Sequence, residues 1–358
     1  MLNNKSFKIV EKFKYLICVS LVVIIAGLAM GIVNLASNKN FINLGIDFTG
    51  GATVEIDLGD FARQEENRKI IEEELTKLIK EEGCHIEGAM TSSPSNGGAT
   101  YEFRLSYYKD GKALTTEEEG QEFVVYVKGE LSEKITNKLL DLFENNEVLK
   151  NAGAVLSDAE VGGEEAVNAF GVSGSAAGSL TSKAVIALLV AILVMLVYIV
   201  IRFTFASSLA AVCALIHDVL IMVALTTLFN IPVNSTFVAA VITIVGYSIN
   251  ATIIIFDRIR EMMKSEEGKG MTDSEMANLA IKDTLNRTIL TTVTTLVMVV
   301  VLVFLSVSTI KEFILPIIFG LVAGAFSSIC LAPAFWVMFR KVGNKIQANK
   351  KQNQVKAK

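Results

Sequence analysis

A carboxylate and an imidazole stand side by side, His217–Asp218, inside the apolar run ALIHDVLIMVAL. Further along, in VNSTFVAAVITIVGYSINATIIIFDRIRE (residues 233–261), Thr243, Tyr247, Asn250 and Ile254 follow helical spacing, so three polar groups share one face. Arg287, Thr291 and Thr294 share a face of a later apolar run, the fifth of the chain, with Thr288, Thr292 and Thr295 beside it. An acid, an imidazole and a guanidinium among hydroxyls and amides suit the holding of an ion inside a membrane, where ionisable groups are costly and mark pathways. Each feature also has a plainer reading. Asp218 could accept a structural hydrogen bond from a neighbouring helix. The polar face of 233–261 could be interhelical glue as readily as a transport path, and in either case it should look into a helix bundle. Arg287 could snorkel to an interface, although the threonine rows favour a bundle-facing, hydrated position.

Hydrolytic and metal chemistry find little footing. The chain has two histidines and four cysteines, and no nucleophile–base pair or metal-ligand spacing emerges, so no catalytic or metal residues are assigned. His217–Asp218 alone is too little for a metal-dependent hydrolase. The sequence LGIDFTGG, with Gly45, Gly50 and Gly51 around Asp47, lacks phosphate-loop spacing and leads into an alternating stretch, so it reads as a tight turn or bulge before a strand.

The elements that must position these residues are membrane helices. Apolar residues make up 52 % of the chain, and six runs are long enough to span: roughly 15–36, 184–201, 206–229, 233–256, 288–307 and 313–338. Asp218 lies about 18 Å along the third run from its Arg202 end, near mid-depth. Ser207, Ala210, Ala211 and Ala214 line the same side, which suits close helix packing. The first run has a basic start, but its apolar core is longer than a signal peptide's, so it reads as an uncleaved anchor.

Lys and Arg gather before the first run, between the second and third, between the fourth and fifth, and after the sixth. By the positive-inside rule both termini are cytoplasmic and residues 40–182 lie outside. That segment holds 27 acidic against 12 basic residues, a net of −15 in a chain of −4, which leaves +11 elsewhere. Asp257, Arg258, Arg260 and Glu261 mark the cytoplasmic end of the fourth run.

The expected organisation is therefore a cytoplasmic N-terminus and first span (1–39), an outer α+β domain with linker (40–182), spans two to six (183–339) with a cytoplasmic loop at 257–287, and a basic tail (340–358). In the outer domain, 52–58, 84–90, 100–107, 122–127 and 154–161 read as strands, and 63–82 and 131–143 as helices. This order resembles a split βαβ, ferredoxin-like domain. SSPSNGG around Asn96 reads as a surface turn, and the Gly- and Ser-rich stretch 171–182 as a linker. Thr272 and Glu275 fit a capping box opening a short helix through Arg287, with Met276, Leu279 and Ala280 on the membrane surface.

LGIDFTGG after the first span, ALIHDVL in the third, GYSIN…IFDRIRE in the fourth and TLNRTILTT in the fifth, in this order, resemble the SecF family of the RND superfamily, over essentially the whole chain. The resemblance implies a six-span half-bundle with an extracytoplasmic domain, pairing with SecD, and assistance to the SecYEG channel driven by the proton-motive force. It implies no cofactor beyond an ion gradient, protons first and sodium as the alternative. Its partners would be SecD, SecYEG, a translocating polypeptide and, further out, YajC and YidC, with no nucleic acid and no chemical catalysis. Asp218 and Arg287 match the family's third-span acid and fifth-span arginine. One position departs: where the family commonly carries Asp after Gly-Tyr-Ser-Ile-Asn, as a proposed proton carrier, this chain has Ala251. Three readings follow, in order of preference: SecD supplies the titrating acid, Asp218 takes over, or this subunit is passive. An RND-type exporter of lipids or small molecules is the alternative function, and would need a large ligand pocket in the outer domain.

Overall fold

The computed structural model describes residues 8–37, 40–57, 65–92, 100–106, 108–109, 112–114, 117–146, 149, 167–172, 174–266, 268–305 and 308–356. Six helical stretches are long and apolar enough to cross a membrane. They comprise α1 (Phe13–Ala36), α6 (Gly174–Arg202), α7 (Phe205–Leu228), α8 (Ser235–Lys264), α9 (Asp273–Leu305), and α10 (Ser308–Phe326) continuing through a π turn (Ser327–Leu331) into α11 (Ala332–Lys356). The third, fourth and sixth spans are 50–56 % buried, against 6–17 % for the first, second and fifth. The centre of the bundle is thus α7, α8 and α10–α11. The outer three spans present apolar side chains such as Val22, Leu193 and Leu290.

Small residues let the central helices close up. A Cβ at Gly320 would come within 2.5 Å of Ile244, and one at Gly324 within 3.0 Å of Ser248, so this Gly-x-x-x-Gly pair brings the sixth span onto the fourth. The π turn has a cause two residues on. Pro333 has no N–H and its ring crowds the carbonyl one turn back, which disturbs the i to i−4 ladder there.

Between the first and second spans lies an α+β domain. Its four-stranded antiparallel sheet has the order β2 (Ile86–Ser92), β3 (Thr100–Leu105), β1 (Gly51–Asp57), β6 (Val167–Val172). Alternate residues Ala52, Val54 and Ile56 of β1, with Phe103 and Leu105 of β3, point to one face. Helices α3 (Glu65–Glu81) and α5 (Ser132–Asn145) cover it with Ile71, Leu75, Ile79 and Ile135, Leu139, Leu142, each set at helical spacing. A two-stranded hairpin joins β4 (Tyr108–Lys109) to β5 (Lys112–Ala113).

The structure corrects several expectations. Residues 122–127 are not a strand: they end α4 (Glu117–Tyr126), which runs through a π turn into α5. Phe123, Val127 and Leu131 are all buried, and their spacing of four is helical, which outweighs the β-branched residues among them. The stretch 171–182 is no linker: β6 ends at Val172 and α6 runs unbroken from Gly174. The loop 257–287 is mostly helix, because α8 extends to Lys264 and α9 begins at Asp273. Thr272 and Glu275 do form a capping box, the Thr272 N–H donating to Glu275 Oε2 (2.8 Å) and the Glu275 N–H to Thr272 Oγ1 (3.3 Å), but it opens the whole fifth-span helix. Met276 and Ala280 are buried in the bundle core and Leu279 packs against it, so they do not lie on a membrane surface. The expected strand 154–161 and the turn around Asn96 lie outside the described residues.

Candidate functional site

Asp218 is 1 % exposed, in the middle of α7, and four helices converge on it. Its Oδ2 accepts from Ser248 Oγ of α8 (2.5 Å) and from Ser327 Oγ at the first residue of the sixth-span π turn (2.8 Å). Its Oδ1 lies 2.9 Å from His217 Nδ1, and the other ring nitrogen lies 2.7 Å from Ser20 Oγ of α1. The close approach at Gly324 is what lets Ser248 and Ser327 reach one oxygen atom. Ser20, Ser248 and Ser327 are themselves buried. Ser327 has a second acceptor in its own helix, the Gly324 carbonyl, at 3.3 Å. The arrangement can hold a charge or a proton inside the bundle, with each carboxylate oxygen engaged.

The polar face of the fourth span lies elsewhere. Thr243 and Asn250 are exposed, and Tyr247 is half-buried, its hydroxyl 3.4 Å from Thr295 Oγ1 of α9. Arg287, Thr291 and Thr294 are exposed on the adjoining side of α9. The expectation that the Thr243–Tyr247–Asn250 face looks into a bundle fails for this chain's own bundle: the buried side of α8 carries Ser248, Ala251, Thr252 and Ile255 instead. Thr243, Thr291 and Thr294 satisfy their hydroxyls on carbonyls of their own helices. Among the described residues, the side chains of Asn250 and Arg287 have no hydrogen-bond or ion-pair partner. The Tyr247–Thr295 contact and the Arg258–Asp283 ion pair (2.8 Å) fix the relative height of the two helices. Between them, Asn250 and Arg287 stand about one turn, ~6 Å, apart in height. Ala251 is 8 % exposed and sits three residues from Ser248, on the Asp218 side.

A second polar junction joins the α+β domain to the bundle. Leu44 and Val233 form a parallel bridge, in which the Gly45 N–H donates to the Val233 carbonyl (2.9 Å) and the Val233 N–H to the Asn43 carbonyl (2.8 Å). The short helix α2 (Ile46–Thr49) then aims Asp47 at the start of α8. Asp47 Oδ2 accepts from the Ser235 N–H (2.9 Å) and from the Ser235 hydroxyl, so an acid from another segment caps the fourth span. Gly45 is required by close approach: a Cβ there would lie 1.4 Å from Asn234 Oδ1. Gly50 and Gly51 have φ of 75° and 131°, values that favour glycine, where the chain turns into β1. Asn234 Nδ2 donates to Glu312 Oε2 (2.5 Å), and Glu312 Oε1 takes Arg104 of β3 at 2.5 Å, with both partners buried.

At the opposite end of the bundle, the charged residues of the fourth span tie it to its neighbours. Arg202 lies 3.4 Å from Asp257, Arg258 pairs with both Asp283 and Glu261, and Arg260 Nη1 donates to the Arg202 carbonyl. Among the described residues no three His, Cys, Asp or Glu side chains are grouped as metal ligands.

The sequence reasoning did not single out Ser20, Ser327, Asn234, Arg104 or Glu312. The Ser327–Ser328 pair in an apolar span was a usable signal, whereas Glu312 stands just before the apolar run 313–338 and falls inside the span only because the helix begins at Ser308. Arg104 looked like any strand arginine.

Comparison with known proteins places these features in a family. The profile "Protein export membrane protein SecD/SecF, C-terminal" matches residues 154–342, and the SecD/SecF GG motif matches residues 42–59, which hold the Asp47 junction. The protein translocase subunit SecF of Helicobacter pylori (strain ATCC 700392 / 26695) is 32 % identical over 313 residues, covering 87 % of this chain and 82 % of that protein. SecF of Alicyclobacillus acidocaldarius is 43 % identical over 159 residues, 44 % of this chain and 52 % of that protein, so that match spans about half the relative. Among solved structures, SecDF from Thermus thermophilus, described as translocon-associated, superposes with a TM-score of 0.66 at 25 % identity, over 95 % of this chain and 40 % of that one. SecDF in its super-membrane-facing form shares the fold, with a TM-score of 0.53 at 22 % identity over 98 % of this chain and 41 % of that one.

Proposed function

The chain belongs to the SecF family of protein translocase subunits, and from that premise we propose that it is one half of a SecD–SecF pair that assists SecYEG-dependent export using the proton-motive force. The observation that carries the pairing is the exposed polar face of the fourth and fifth spans. Asn250 and Arg287 project from apolar helices with no side-chain partner among the described residues. A polar group facing lipid is unfavourable, and a second bundle is the natural cover. The chain aligns with about two-fifths of a SecDF chain, which leaves room in that protein for such a bundle. The coupling carboxylate nearest Arg287 would then come from SecD, because Ala251 cannot titrate.

In this reading both termini and the Arg258–Asp283 end are cytoplasmic, and the α+β domain meets the polypeptide outside the cytoplasmic membrane. The work is transport, not chemical catalysis. YajC and YidC are further partners of the assembled machinery.

The test is cysteine cross-linking in native membranes from Asn250→Cys and Thr294→Cys, with Leu193→Cys on the second span as the control. Adducts with SecD from the first two and not from the third support the pairing. Adducts from Leu193→Cys alone, or a chain that purifies without SecD and SecYEG, would sink it and favour the alternative exporter reading.

A further inference from the structure

His217 and Asp218 form a charge site contained within this chain. With Asp218 ionised the carboxylate only accepts hydrogen bonds, so His217 Nδ1 then carries its hydrogen toward Asp218 Oδ1 at 2.9 Å, and Nε2 is the basic atom of a neutral ring. Nε2 faces Ser20 Oγ at 2.7 Å. A hydroxyl donates to a neutral ring and accepts from a protonated one by rotating, with no heavy atom moved. With the ring neutral, the cluster carries one negative charge in an apolar core, where an uncompensated charge is strongly unfavourable. One proton on Nε2 converts it to an imidazolium–carboxylate pair of zero net charge, and every hydrogen bond around Asp218 survives.

Nothing else described at this depth supplies the compensating charge. The first, second, fourth and sixth spans pack against the third, and their charged residues lie toward their ends: Lys14 on the first, Lys183 and Arg202 on the second, Asp257 on the fourth, Glu312 and Arg340 on the sixth. The exposed thiol of Cys18, two residues from Ser20, the thiols of Cys213 and Cys330 and the phenol of Tyr247, which is turned to Thr295, are the other titratable groups on these helices near this depth.

We propose that His217 and Asp218 together are a proton-binding site of the membrane bundle, with His217 Nε2 taking the proton and Asp218 as the fixed counter-charge. The site needs no carboxylate from a partner, so it is separate from the SecD-supplied acid proposed above. Its grip on the structure is broad. Ser248 and Ser327 tie Asp218 to the fourth and sixth spans, the two helices whose far ends hold the α+β domain through Ser235, Asn234 and Glu312. A change of charge at the dyad is therefore felt by both helices that carry the domain.

The chain's two histidines make the test direct. Full-length protein labelled with ¹⁵N-histidine, in proteoliposomes, is followed by solid-state NMR from about pH 4 to about pH 9, a window around the ordinary imidazole range. His85→Gln removes the exposed second ring and leaves the His217 resonances. The expected result is passage of His217 from the neutral Nδ1–H tautomer to imidazolium within that window. In Asp218→Asn, the imidazolium fraction at the wild-type midpoint should fall from half to about one tenth or less, because the fixed counter-charge is gone. Ser20→Ala should also reduce it, and serves if Asp218→Asn does not fold. A ring that stays neutral throughout, or one that titrates identically in the variants, overturns the proposal. The measurement needs neither SecD nor export, so a failed pairing would leave it intact.

Discussion

Arg104 of β3 and Glu312 of the sixth span form a 2.5 Å ion pair with side chains 8 % and 4 % exposed, binding the sheet of the α+β domain to the bundle. Glu312 also accepts from Asn234, one residue before α8, so one carboxylate holds a strand and two spans together. Breaking a buried ion pair by removing one partner costs about 3–5 kcal/mol. Arg104→Met should therefore lower the stability of the full chain in detergent by that order. The double variant Arg104→Met/Glu312→Leu should recover much of the loss. Equal destabilisation by the single and the double variant would show that the pair is not the fastening.

The Asp47 cap is a weaker joint. Asp47→Ala should cost about 0.5–2 kcal/mol, the usual range for a lost N-cap, and should speed hydrogen exchange at Ser235 and the two residues after it. Asp47→Ser should keep part of the protection. Gly45→Ala should be worse than Asp47→Ala, since its methyl group would have to displace Asn234 and, with it, the contact to Glu312. Unchanged exchange at the start of α8 in Asp47→Ala would remove Asp47 from the cap.

These joints mark the boundary of what the sequence reveals. Spans, the strands β1, β2 and β3 and the α3 and α5 helices follow from periodicity, because burial acts residue by residue along one element, whereas β6 was not legible and 122–127 reads as a strand but is helix. The seclusion of Asp218 was readable for the same reason: the small residues Ala210, Ala211 and Ala214 lead up to it on one side. The meeting of its partners was not readable, since Ser20, Ser248 and Ser327 come from three other helices and their convergence depends on packing that the Ser327–Ser328 pair and Gly324 do no more than hint at. The polar face reads as looking into a helix bundle, and this chain's own bundle leaves Asn250 exposed. The helix from Gly174 was hidden by Gly and Ser, which weaken local helical preference but are overruled when the segment continues a long span packed on α2.

The orientation proposed here can be probed at described surface positions. Cys84 is buried and makes a poor reporter. Lys128 is exposed on the α+β domain and Lys264 at the opposite end. In a chain whose native cysteines are replaced by serine, Lys128→Cys should react with an impermeant maleimide in intact cells, and Lys264→Cys only after lysis. The reverse pattern would invert the topology.

Ala251 and Arg287 test where coupling resides. Ala251 is three residues from Ser248, which donates to Asp218, so Ala251→Asp puts a second carboxylate about 5–6 Å, Cβ to Cβ, from Ser248. Two nearby carboxylates disfavour joint ionisation, and the site should then hold an extra proton near neutrality. Export of a secreted reporter by inverted vesicles, measured at several pH values with and without an uncoupler, should show a shifted pH dependence in Ala251→Asp and not an abolished rate. Arg287 is exposed and has no side-chain partner among the described residues, so its charge is available to an acid on SecD. Arg287→Ala should impair export under a proton gradient while leaving the complex assembled, and Arg287→Lys should restore part of it, since the charge returns without the planar fork. Normal gradient-driven export by Arg287→Ala, together with an unchanged pH profile in Ala251→Asp, would make the fourth and fifth spans packing surfaces. Coupling would then have to lie in SecD or at the His217–Asp218 dyad, and the histidine titration separates those two.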